Sequence, residues 1–321
     1  MHVSNLQQAP DHALTSDFKL LNQMVFSWYG FAFPCVLTAL QISLTLALML
    51  VLRATTGTRL LDFDPLPRWG TLKKVLPLTV TWWVYVVSGL IALRHLSVPM
   101  FSVFRRATTL LVMVGEWAVL DKTPTPSNVL SVALMMLGGL VAGATDLMFT
   151  LPGYLMVGVL VLSTAAYLLL IKLLRASTGL SDAGLLYANN ILALPMMSAY
   201  TALATDELAR VADFPRLWDP SFVGVLVLAA SQAFLLNLCI FRCTNINSPL
   251  VTSVTGQIKD ILTTTLGFLM FPAETPVYAP NVAGVVIGLI GGAHYSYNSY
   301  MSRYGVKQEL KAFVQDKKDT Q

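Results

Sequence analysis

The chain alternates long apolar runs with short polar connections, and the runs are too long for the core helices of a water-soluble fold. Residues 31–52, 75–93, 154–171, 183–205 and 222–241 contain no charged residue, and each approaches or exceeds the roughly 20 residues that carry a helix across a bilayer core. The runs lack the two-residue alternation of a barrel strand. Hydrocarbon offers backbone amides no partner, so the runs must satisfy themselves as helices. The pattern predicts an all-α membrane protein of about ten transmembrane helices, near residues 13–29, 31–53, 75–93, 97–119, 128–146, 153–173, 182–204, 221–243, 248–271 and 280–302. The first is a stub: only 20–33 is strongly apolar there, and Gly30 and Pro34 separate it from the next span.

Composition agrees, with 55% hydrophobic and 12% charged residues and a mean hydropathy of +0.64. The net charge of +4 is too small and scattered for a nucleic-acid footprint, and the basic residues report orientation instead. Arg53, Arg59, Arg68, Lys73 and Lys74 fall in one connection, Lys172 and Arg175 in a second, and Arg303, Lys307, Lys311, Lys317 and Lys318 in the tail. Asp206, Glu207, Asp213 and Asp219 fall in a connection on the opposite side, as does Glu274. Both termini are therefore expected in the cytosol. The polar first 19 residues predict no cleavable signal peptide. Cys35, Cys239 and Cys243 all lie in predicted spans, which supports neither a disulfide framework nor a zinc site.

A weak internal repeat is visible. Ser97-Val98-Pro99 opens one predicted helix and Asn247-Ser248-Pro249 opens another about 150 residues later; Gly139 and Gly143 are echoed by Gly284, Gly288 and Gly292. With five helices per half the copies are inverted in the membrane, which suits alternating access. The expected organisation is a first five-helix repeat over residues 1–174 with its first helix shortened, a second over 175–302, and a cytosolic tail over 303–321. The glycines fit close packing inside one subunit; a homodimer through helices 128–146 and 280–302 is the other reading.

Charges inside spans carry the chemistry. Arg105 and Arg106 lie about nine residues into one helix and Lys259 and Asp260 about eleven into another, so a rise of 1.5 Å per residue puts both pairs near the midplane. Ionised groups at that depth persist when they pair or face a hydrated path. Arg106 and Lys259 are candidates to neutralise the phosphates of an anionic solute, a planar fork beside a point charge. The competing reading is that Asp260 pairs with an arginine only to lock two helices. Asn189 and Asn190 sit mid-span near Tyr187; two amides there either read a nucleobase edge, with Tyr187 stacking on the base, or bond between helices. Tyr295, Tyr297 and Tyr300 read as an interfacial belt.

The segments Leu96-Ser-Val-Pro-Met-Phe-Ser-Val-Phe-Arg-Arg106, Leu186-Tyr-Ala-Asn-Asn-Ile-Leu-Ala-Leu-Pro195 and Cys243-Thr-Asn-Ile-Asn-Ser-Pro-Leu-Val-Thr-Ser-Val-Thr-Gly-Gln-Ile-Lys-Asp260 resemble the nucleotide-sugar transporters of the drug/metabolite transporter superfamily, from about residue 20 to 300. The resemblance implies an EamA-like fold of two inverted five-helix repeats, no cofactor, and a multi-pass antiporter of the Golgi or endoplasmic reticulum. Such a carrier exchanges a nucleotide sugar for a nucleoside monophosphate. Tyr187-Ala188-Asn189-Asn190 matches the Phe-Tyr-Asn-Asn of GDP-mannose carriers at the two asparagines. Gly256-Gln257-Ile258-Lys259-Asp260 departs from their Gly-Ala-Leu-Asn-Lys and looks more like carriers of UDP-glucuronate and UDP-N-acetylhexosamines, as do Arg105 and Arg106. The implied site is Arg105, Arg106, Gly256, Gln257, Lys259 and Asp260 for phosphate and sugar, with Tyr187, Asn189 and Asn190 for the base. The implied function is import of a UDP-sugar into the Golgi lumen against UMP, with a GDP-mannose/GMP antiporter as the alternative. A non-transporting scaffold and a membrane transferase using Asp62-Phe63-Asp64 are the readings from other classes. Asp62 and Asp64 read as a solvated turn, and His2, His12, His95 and His294 form no acid/base cluster.

Overall fold

The computed structural model describes residues 29–57, 61–96, 98–143, 150–270 and 279–319, so the predicted helix at 13–29 lies almost wholly outside the described residues. Among the described residues ten helices follow one another: α1 (Pro34–Thr56), α2 (Trp69–His95), α3 (Val98–Leu120), α4 (Pro126–Gly143), α5 (Leu151–Thr178), α6 (Asp182–Ala204), α7 (Glu207–Val211), α8 (Pro220–Ile246), α9 (Pro249–Met270) and α10 (Ala279–Asp319). No strand occurs among the described residues. Four helices, over Pro34–Thr55, Trp69–His95, Leu151–Thr178 and Pro220–Ile246, are long and apolar enough to cross a membrane. α3, α6 and α9 are of similar length and hold the intramembrane polar residues. The chain is an all-α, multi-pass membrane protein.

Helix ends follow local chemistry. Pro34 begins α1 and Pro220 begins α8, where a missing N–H costs nothing. Ser181 accepts from the Gly184 amide to cap α6, and Asp219 accepts from the Ser221 amide to cap α8. Gly179, at φ +68°, closes α5 in the left-handed conformation that favours glycine. α2 starts six residues before the predicted span, so Lys73 and Lys74 stand on its first turns. α10 continues 17 residues past the predicted limit at 302, because no proline stops it and lysine, glutamine and leucine favour helix there. The short α7 within 205–220 was not foreseen.

The packing has the form of an inverted repeat. α2 lies on α6 as α8 lies on α1, and α3 lies on α4 as α9 lies on α10; α1 with α6, α3 with α9 and α4 with α10 pair with each other. These pairings agree with a correspondence of α1 to α6, α2 to α8, α3 to α9 and α4 to α10, as an inverted repeat implies. Backbone meets backbone between α4 and α10. A Cβ on Gly284 would stand 2.4 Å from the carbonyl oxygen of Gly138, and one on Gly138 would stand 2.6 Å from that of Gly284. Gly138, Gly284, Gly288 and Gly291 thus serve packing within one chain. Gly139 instead makes room for the stem of Arg106, and Gly292 for Ile258 of α9. Beside the glycines, Ser131 and His294 hydrogen-bond at 2.7 Å.

Two carboxylates hold helix starts at opposite ends of the bundle. Glu116, on the last turns of α3, accepts from the Leu250 amide at 2.6 Å, at the first turn of α9, and pairs with Lys122 at 3.0 Å. Glu207, opening α7, accepts from the Cys35 and Val36 amides at 2.8 and 3.0 Å, at the start of α1. Each satisfies amides that a helix N-terminus leaves unpaired. Both are buried, at 2% and 3% exposure, so each carboxylate depends on these partners.

Candidate functional site

α3 and α9 run antiparallel, so Arg105 and Arg106, in the first half of α3, meet the middle of α9. Asp260 stands between two cations: its Oδ2 is 3.9 Å from Arg105 Nε and its Oδ1 is 3.4 Å from Lys259 Nζ. These side chains are half-buried. Arg106 crosses toward α4, its stem 2.8 Å from where a Cβ on Gly139 would lie. Its Nη1 is enclosed and makes no hydrogen bond within the protein. The structure therefore brings Arg105, Lys259 and Asp260 together, with the Arg106 side chain turned toward α4.

Gln257, expected at the phosphate and sugar, ties two helices through its amide nitrogen. It is 6% exposed, and its amide donates to the Arg106 carbonyl oxygen at 3.0 Å and to Thr109 Oγ1, fixing α9 to α3 directly behind the cations. Thr109 in turn shares a 2.7 Å hydrogen bond with Ser253. Neither Thr109 nor Ser253 was singled out in the sequence; paired hydroxyls in two helices of equal depth are the signal that points to them. At Gly256 nothing lies within 4 Å of where a Cβ would stand. Residues 256 and 260 share a helix face, so α9 presents bare backbone one turn from Asp260.

The nucleobase candidates sit apart from this cluster, on α6, with α8 packed against both α6 and α9. Residues 183–190 are all buried. Asn189 is 1% exposed and its Oδ1 has no hydrogen-bond partner within the protein; Asn190 is 5% exposed. Tyr187 is engaged: its hydroxyl donates to the Pro65 carbonyl at 3.1 Å, and its ring lies 4.4 Å from that of Phe63. Arg53 stands over the Phe63 ring, 4.9 Å from its centre. With Ser181 donating to the Asp62 carbonyl, the 61–65 segment is tied across the start of α6. Leu61 and Phe63, apolar residues in a polar connection, are buried there at 3% and 5%. Asp62 and Asp64 are exposed; Asp64 accepts from the Leu66 amide in a tight turn, and no group of three or more metal-ligating side chains occurs among the described residues.

Comparison with known proteins places this arrangement. The model of the triose-phosphate transporter family matches residues 12–296, nearly the whole chain. The chain belongs to the triose-phosphate transporter family. It is a membrane transporter of that family rather than an enzyme. It is 35% identical to a UDP-N-acetylglucosamine transporter of Arabidopsis thaliana over 73% of this chain and 67% of that protein. A UDP-galactose/UDP-glucose transporter of the same plant is 31% identical over 73% and 72% of the two chains. A GDP-fucose transporter, also of Arabidopsis thaliana, is 28% identical over 86% and 80%. A solved crystal structure superposes with a TM-score of 0.63 over 91% of this chain and 96% of that one, at 15% identity, a likeness of fold alone.

Proposed function

We propose that this family member is a nucleotide-sugar antiporter, carrying a UDP-sugar of the UDP-glucuronate or UDP-N-acetylhexosamine type into the Golgi lumen in exchange for UMP. The carrying observation is the pairing of Arg105 and Lys259 with one carboxylate, half-buried between α3 and α9, with Arg106 at the next position crossing toward α4. Cations at that depth are costly to keep without a function, and they attract a phosphorylated cargo. Arg105, Arg106 and Lys259 bind the phosphates, the open backbone at Gly256 admits the ligand close to α9, and Gln257 holds Arg106 in place. Asn189 and Asn190 read the base, with the enclosed Asn189 oxygen as acceptor for a ring N–H. UDP-sugar relatives at 35% and 31% identity support uridine over guanosine.

A second reading, exchange of a GDP-sugar for GMP, is favoured by the GDP-fucose relative and by the paired asparagines. In either case both termini face the cytosol. The helix pairing supports a division of the repeats between α4 and α5, ahead of the 174/175 boundary read from the sequence. A homodimer through α4 and α10 would use their outward residues Leu137, Leu140, Val286 and Ile290, because the glycines already face one another.

The test is counter-transport in proteoliposomes preloaded with UMP or GMP and offered labelled nucleotide sugars. UMP-driven uptake of a UDP-sugar is expected, abolished by Lys259→Ala. Exchange with GMP alone would replace the uridine reading, and wild-type rates in Lys259→Ala would remove the phosphate role of the cluster.

A further inference from the structure

We infer that Asp260 limits the negative charge that the phosphate subsite accepts, admitting phosphate groups with about two charges and disfavouring those with three; this rests on the reading of the site proposed above. Asp260 is the one carboxylate seated among Arg105, Arg106 and Lys259 in the described residues, in contact with two of them. It also lies on the face of α9 that carries the open position at Gly256, so it borders the space a phosphate would enter. A carboxylate there repels phosphate while it restrains the cations that attract it.

The ligands differ in charge more than in shape. A nucleotide sugar carries one charge on each esterified phosphate, and the further carboxylate of UDP-glucuronate sits on the sugar, outside the phosphate subsite. A nucleoside monophosphate carries about 1.5 to 2, because its second ionisation lies near pH 6. A free nucleoside diphosphate, the other product of a glycosyl transfer, carries about one more. A pocket shaped for a nucleotide sugar cannot reject that diphosphate by size, since it is a fragment of the larger ligand. It can reject it by a fixed negative charge that the two exchanged species tolerate and the third does not. Replacing Asp260 by asparagine raises the charge of the site by one, whatever else Arg105 and Lys259 touch.

The experiment is competition against labelled UDP-N-acetylglucosamine exchange by UMP and by UDP, in wild type, Asp260→Asn and Asp260→Glu. Wild type is expected to be inhibited more weakly by UDP than by UMP. Asp260→Asn should shift the ratio of the two inhibition constants toward UDP by about tenfold. Asp260→Glu should keep the wild-type ratio. Should Asp260→Asn fail to exchange, thermal stabilisation of the purified variant by UDP and by UMP reads the same preference. A wild-type ratio in Asp260→Asn by either measure overturns the inference. A wild-type protein that neither binds nor exchanges any of the three nucleotides overturns the transport reading beneath it.

Discussion

Alanine at Gly284 is the sharpest probe of the bundle. Its Cβ would lie 2.4 Å from the Gly138 carbonyl oxygen and 2.6 Å from the Ala142 amide nitrogen, both backbone atoms in a neighbouring helix. A carbon and an oxygen not bonded to each other need about 3.5 Å, so α4 and α10 must separate by about 1 Å. Forcing one methyl into a packed contact costs about 1–3 kcal/mol, and here no side-chain rotation relieves it. Gly158 in α5 is the control: nothing lies within 4 Å of its Cβ position, so alanine there should be neutral or stabilise by about 0.5–1 kcal/mol through helix propensity. Thermal melting of purified protein in detergent compares the two. Gly284→Ala should lower the midpoint by several degrees, with Gly158→Ala at or above wild type. Gly138→Ala added to Gly284→Ala should cost less than its effect alone, since the helices have already parted. Equal melting of Gly284→Ala and wild type would refute the close packing described.

Three further outcomes are expected. Glu116→Ala leaves the Leu250 amide without its acceptor and should destabilise by about 1–3 kcal/mol, read as a lower melting midpoint; an unchanged midpoint would show that the cap does not hold the start of α9. Phe63→Ala should speed backbone hydrogen exchange across 183–190, because the segment over α6 loses its anchor between Arg53 and Tyr187; unchanged exchange would mean that this end is sealed by something else. Gln257→Leu preserves the volume but removes the bond to the Arg106 carbonyl, and should raise the apparent KM for nucleotide sugar at least about threefold while the protein still folds; an unchanged KM would reduce Gln257 to a helix tie.

The spans were legible because hydrocarbon demands long apolar stretches, and each described helix beyond α7 covers a run visible in the sequence. The charged cluster was legible for a related reason: four ionised residues inside two such runs at matching depth have few partners but each other. Glu116 and Glu207 were not. Their acceptors serve backbone amides 134 and 171 or 172 residues away, and a side chain that bonds to backbone leaves no complementary residue to notice. Glu207 looked like one more loop charge. Gln257 was placed near the site, but its direction was hidden, since an amide suits a ligand and a neighbouring carbonyl equally well. Leu61 and Phe63 gave a signal that hydropathy windows average away: two isolated apolar residues in a polar connection.

The contact of α4 with α10 also bears on motion. Where the two backbones touch, at Gly138 and Gly284, no side chain lies between them to re-pack, so the helices resist sliding or tilting apart there. The other self-mirrored pairs, α1 with α6 and α3 with α9, meet through side chains, with Glu116 joining α3 to the start of α9 and Glu207 of α7 holding the start of α1, contacts that can be broken and remade. The molecule therefore has a stiff post on one flank and a pliable remainder, and any rocking that exposes Arg105 and Lys259 first to one face and then to the other must turn about that post.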